Sequence, residues 1–121
     1  MIIFITGGAR SGKSNYAQDR AKALSDKPVY VATARRWDND CENRIEKHQL
    51  TRGSEWENFE AEKYISKLFL AGKVVVIDCV TLWLTNFFVD YKQNTTKALI
   101  SSIFPFPTKN LESGCGKIIW L

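Results

Sequence analysis

The sequence predicts an α/β protein with a mostly parallel sheet, and three observations carry that reading. Short apolar runs rich in β-branched residues alternate with stretches of helical periodicity. A glycine-rich joint, Gly7-Gly8-Ala9-Arg10-Ser11-Gly12-Lys13-Ser14, links the first apolar run to the first helical one. The run Val74 to Ile77 is apolar without interruption, as a strand covered on both faces must be.

The elements follow in order. Met1 to Thr6 reads as a buried strand that ends at Gly7-Gly8. Lys13 to Leu24 is a helix, with Tyr16, Ala17, Ala21 and Leu24 recurring on one side. Pro28 to Thr33 is a second strand. Asp38 or Asp40 can cap a charged helix from about Cys41 to Leu50, which Gly53 ends. Trp56 to Phe59 alternates as a short strand, and Glu62 to Leu70 reads as an amphipathic helix stopped by Ala71-Gly72. Lys73 to Cys79 is the strongest strand, and Thr81 to Tyr91 the helix after it. Alternation of this kind gives right-handed crossovers and a three-layer fold. In the tail, prolines at 105 and 107 and glycines at 114 and 116 argue for irregular backbone, and only Lys117 to Leu121 has the pattern of a further strand.

The chain has 121 residues, enough for a single domain with one core. Its 45% apolar and 25% charged content is that of an ordinary globular protein. The apolar runs fall far short of the ~20 residues a membrane helix needs, and no segment reads as a signal peptide. The three cysteines, Cys41, Cys79 and Cys115, show no CxxC spacing, so a cytoplasmic location without disulfides is expected. The net charge of +4 is scattered, and no basic helix or aromatic-interleaved patch supports nucleic-acid binding. The excess is read as serving phosphorylated small molecules.

The glycine-rich joint fits GxxxxGK[ST], with Gly7, Gly12, Lys13 and Ser14 in the defining places. It also lies where the chemistry requires, after a strand and before a helix. Glycines let successive backbone N–H groups turn inward on phosphate oxygens, and the helix N-terminus adds partial positive charge. Lys13 is expected on the β- and γ-phosphates and Ser14 on Mg²⁺, which makes the fold P-loop NTPase-like and its ligand a nucleoside triphosphate. Asp78, at the end of the strongest strand, suits the acid that holds Mg²⁺; a strand-end Asp that only caps the next helix is the alternative. His48 is the sole histidine. On a helix it shares a face with Arg44, and neighbouring cations keep its imidazole neutral and nucleophilic; taken alone, a single histidine is more often a solvated polar residue.

Taken together, the loop from Thr6 to Ser14, Tyr30-Val31-Ala32-Thr33, Arg44-Ile45 with His48, Arg52, Trp56 and Glu60, and Asp78 to Asn86 resemble the bifunctional adenosylcobinamide kinase / adenosylcobinamide-phosphate guanylyltransferase family, the CobU/CobP type. The resemblance implies a transferase of cobalamin biosynthesis that phosphorylates adenosylcobinamide with ATP or GTP and then passes GMP from GTP to the phosphorylated corrinoid. It implies His48 as the guanylylated nucleophile. Lys13 and Ser14 become phosphate and Mg²⁺ contacts, Glu60 and Asp78 nucleotide- or metal-binding positions, and Arg44 and Arg52 neutralise phosphate charge. The family's closed ring-like assemblies imply a homo-oligomer. Another small-molecule kinase and a nucleotide-binding fragment without turnover remain as other readings.

The resemblance runs from residue 1 to about 94, and the tail 95–121 departs from it. It reads as a truncated or frame-shifted end, leaving the C-terminal part of the fold incomplete. Loss of two central strands is expected to expose the edges of Val74 to Ile77 and leave the protein marginally stable and catalytically impaired.

Overall fold

The structure is a computed structural model and describes residues 1–35, 50, 52–92, 94–98 and 116–121. Its described elements are β1 (Ile2–Phe4), α1 (Lys13–Leu24), β2 (Val29–Ala32), β3 (Glu57–Glu60), a 3-10 turn (Ile65–Lys67), β4 (Val74–Asp78), α2 (Val80–Asp90) and β5 (Lys117–Trp120). The strands form one sheet in the order β1-β5-β4-β2-β3, and every pairing is parallel. The expected α/β fold with a parallel sheet is therefore present. Residues 41–49 of the helix expected from Cys41, and 99–115 of the tail, lie outside the described residues.

Parallel strands buried on both faces explain the unbroken apolar run of β4. Val75, Val76 and Ile77 are almost wholly buried, with alternate side chains feeding two cores. On one face Val29, Val31, Val75, Ile77 and Ile118 pack with Trp83 and Phe87 of α2 and with Ile65. On the other, Tyr30, Val74, Val76 and Ile119 meet α1 and Trp56. Helix α1 presents Ala17 and Ala21, one turn apart and fully buried, so small side chains let it lie close against β4. In α2 the buried residues Trp83, Asn86 and Phe87 recur at the helical three- and four-residue spacing.

Three expectations are corrected. First, the N-terminal run is a strand but not a buried one. β1 occupies an edge of the sheet, and Ile2 and Phe4 are each 63% exposed. Second, the edges of Val74 to Ile77 are not open. β4 is paired by β2 on one side and β5 on the other, because Lys117 to Trp120 inserts between β1 and β4. Backbone bonds from Ile118 N to Met1 O (2.9 Å) and from Leu121 N to Ile77 O (3.0 Å) fix that insertion. Third, Glu62 to Leu70 holds only a single 3-10 turn. The carbonyls of Glu62 and Lys63 accept the Asn86 amide (2.9 Å) and the Trp83 indole N–H (2.6 Å), which ties this segment to α2.

Candidate phosphate-binding site

The loop between β1 and α1 leaves the sheet at its C-terminal edge, where parallel α/β folds bind ligands. Gly12 has φ +81°, a left-handed conformation in which a Cβ is strained, and it forms the N-cap of α1 without a side-chain cap. A Cβ on Gly7 would sit 2.7 Å from Ser11 Oγ, so a larger residue there would require the Ser11 side chain to shift. Residues Arg10 to Asn15 line a shallow open depression at the helix N-terminus. Lys13 Nζ donates to Gly8 O at 3.2 Å, which holds the ammonium across the loop. Uncapped N–H groups, a helix dipole and a cation therefore converge on one small surface suited to phosphate.

Asp78 ends β4, two strand positions from β1 with β5 between them, or about 10 Å in the sheet plane. It is half-buried and does not cap α2. That cap is Cys79, whose Sγ accepts from Leu82 N at 3.5 Å. The Asp78 carboxylate accepts instead from Tyr30 Oη, with 2.5 Å to Oδ2. Burial first, and then the charge and hydrogen bond of Asp78, push the Tyr30 hydroxyl far above the usual tyrosine range, so it stays a donor; Arg52 opposes this more weakly.

A clamp holds the Asp78 end of the strand. Thr33, fully buried, accepts from Cys79 N and donates to Cys79 O, both at 2.8 Å. Asn86 then donates to Thr33 O at 2.8 Å, joining α2 to the same turn. Farther out, Arg35 makes a bidentate pair with Asp90 (2.7 Å for each bond) and a third bond to Glu62 at 2.8 Å, while Lys63 also pairs with Asp90. These partners hold the Asp90 carboxyl well below the ordinary carboxylate range.

Arg52 lies 7% exposed with its guanidinium 3.6 Å from the Tyr30 ring centroid. Its Nε and Nη1 atoms, and Trp56 Nε1, find no hydrogen-bond partner among the described residues. Glu60 ends β3, level with Ala32 and, through it, with Asp78. That places it about 10 Å from Asp78 and about 19 Å from β1 by strand spacing. The structure thus brings the loop residues, Asp78 and Glu60 to one edge of the sheet, with Arg52 stacked on the Tyr30 ring that reaches Asp78. Arg44 and His48 lie outside the described residues.

The donors fit Mg²⁺. Ser14 and Asp78 offer hydroxyl and carboxylate oxygens, and no group of three His, Cys, Asp or Glu side chains gathers among the described residues. Mg²⁺ takes one or two protein oxygens beside phosphate and water rather than an all-protein cage. No helix among the described residues is long and apolar enough to cross a membrane. Sequence reasoning missed Tyr30, Thr33 and Asn86 as parts of the site. Their signal was present in Tyr30 to Thr33 and Asp78 to Asn86, but the register that joins the two segments is needed to read it.

The family described as cobinamide kinase / cobinamide phosphate guanyltransferase matches residues 3–113. The chain is 38% identical over 98 residues to the bifunctional adenosylcobalamin biosynthesis protein CobU of Escherichia coli K12, covering 75% of this chain and 52% of that protein. It is 37% identical over 90 residues to the CobP protein of Pseudomonas aeruginosa, covering 71% and 52%. To CobU of Salmonella typhimurium it is 33% identical over 92 residues, covering 71% and 49%. The chain spans about half the length of these relatives.

Proposed function

This chain belongs to the cobinamide kinase / cobinamide phosphate guanyltransferase family, and we propose that it serves cobalamin biosynthesis in the cytoplasm by binding ATP or GTP in the 7–14 loop, phosphorylating adenosylcobinamide and transferring GMP to the product. The observation that carries this reading is the loop itself: a left-handed Gly12 and a Lys13 ammonium spanning the loop, at the sheet edge where Asp78 also ends.

The loop N–H groups and the α1 N-terminus hold the triphosphate, and Lys13 neutralises its β- and γ-phosphates. Ser14 and Asp78 would hold Mg²⁺, which would withdraw charge from the phosphate oxygens. In the kinase step the corrinoid hydroxyl oxygen bonds to the γ-phosphorus. The bond to the departing nucleoside diphosphate breaks, and the hydroxyl proton goes to solvent or a base. In the second reaction the His48 imidazole nitrogen bonds to the α-phosphorus of GTP and pyrophosphate leaves. A phosphate oxygen of adenosylcobinamide phosphate then displaces the histidine, which breaks the P–N bond and restores neutral His48. Arg52 is a buried cation whose Nε and Nη1 have no partner among the described residues, suited to the charge that builds up on phosphate during these transfers. Glu60 faces the same edge and is assigned to the nucleotide.

Incubation with α-labelled GTP tests this. Acid-labile, alkali-stable label on the protein that vanishes in His48→Ala is expected. Label retained in His48→Ala would overturn the role of that histidine.

A further inference from the structure

Asp78 and Tyr30 share a bond that the proposed chemistry does not use. Tyr30 lies on β2, two residues before Ala32, which is level with Asp78 in the sheet. Its side chain therefore leans along the strand toward the C-terminal edge to reach Oδ2 at 2.5 Å. The ring is held from two directions. Trp56 meets it edge-to-face at 5.9 Å, and the Arg52 guanidinium lies over it at 3.6 Å. With Tyr30 only 4% exposed, the phenol is a rigid donor and not a mobile surface group.

We propose that Tyr30 is the positioning residue for Asp78: its hydroxyl pins one carboxylate oxygen, so that the other has a single setting from which to meet the divalent cation of the bound nucleotide. This rests on the reading that Asp78 is a cation ligand. An unpinned aspartate rotates about its side-chain bonds and loses that freedom each time it binds. A pinned one has lost it during folding, which is how partners behind a metal ligand raise its affinity. The ring contacts also couple Arg52 to the same unit, since the guanidinium stacks on the ring that carries the hydroxyl.

Tyr30→Phe keeps the ring and its contacts and removes only the donor. The readout is Mn²⁺ affinity of the protein bound to a non-hydrolysable GTP analogue, followed by electron paramagnetic resonance. Analogue affinity in EDTA, far-UV circular dichroism and urea unfolding serve as controls. The expected result is a loss of roughly 10-fold in Mn²⁺ affinity, with metal-free analogue affinity unchanged. Asp78→Asn weakens Mn²⁺ at least as much. The double variant Tyr30→Phe/Asp78→Asn binds Mn²⁺ no worse than Asp78→Asn alone, because Tyr30 acts only through that carboxylate.

If Asp78→Asn weakens Mn²⁺ while Tyr30→Phe does not, the positioning role is overturned and Asp78 remains a ligand. If neither weakens it, the ligand reading falls and takes this inference with it. Equal losses with and without metal in Tyr30→Phe would show general distortion and overturn the inference as well. So would additive losses in the double variant.

Discussion

Replacing Asn86 with Ala tests whether the clamp behind Asp78 is a structural necessity. Asn86 is 2% exposed, and its amide donates to Thr33 O at 2.8 Å and to Glu62 O at 2.9 Å. Truncation removes both bonds and leaves two carbonyls short of a partner. A typical net hydrogen bond contributes about 1 kcal/mol, and a stranded buried group costs about 1–3 kcal/mol. The Thr33 carbonyl is buried and the Glu62 carbonyl only partly so, which puts the sum at about 2–4 kcal/mol. That is a large share of the roughly 5–15 kcal/mol that holds a domain of this size together. Urea unfolding followed by circular dichroism reads it directly, provided the denaturant slope is unchanged. Asn86→Leu fills the volume but not the bonds and is expected to be similarly destabilised. Thr33→Val, which cuts the two 2.8 Å bonds to Cys79, is expected to combine with it non-additively. A loss below about 1 kcal/mol in Asn86→Ala would refute the reasoning.

Two further outcomes follow from the fold. Ile119 is fully buried in β5, between β1 and β4. Ile119→Ala is expected to cost about 2–4 kcal/mol in urea unfolding, whereas a tail that is not part of the sheet would make it neutral. Asp90 is held below the usual carboxylate range by Arg35 and Lys63, so its contribution is complete above an ordinary pKa of about 4 and is lost as pH falls toward the depressed folded-state value. Asp90→Asn should therefore be less stable than the native chain at pH 7, with the gap closing as the pH drops below about 4; a gap that is constant with pH would contradict the pairing.

The parts of the fold set by local pattern were legible. The helical recurrence of Ala17 and Ala21 and the β-branched run of β4 each give their element directly. What could not be read was set by distant partners. Glu62 to Leu70 has helical composition, but it holds a single 3-10 turn and is tied to α2 by Trp83 and Asn86, about twenty residues away. Lys117 to Leu121 showed a strand pattern, yet its place between β1 and β4 depends on pairing with Met1 to Phe4 across the whole chain. The same holds for the site. The phosphate loop is a contiguous motif and was read from the sequence. Tyr30 was read only as part of the second strand, and its bond to Asp78 needs the register that sets Ala32 beside Asp78. Asp78 had two readings, cap or ligand, and the cap fell to Cys79.

The central claim, that residues 7–14 form a working triphosphate cradle, is tested most directly by calorimetric titration of the folded chain with Mg-GTP and Mg-ATP. Saturable binding is expected, weakened by on the order of 10- to 100-fold in Lys13→Ala, the loss of a charged hydrogen-bonding partner of about 1.5–3 kcal/mol. Equal affinity in Lys13→Ala, or no saturable binding by the folded native chain, would contradict it.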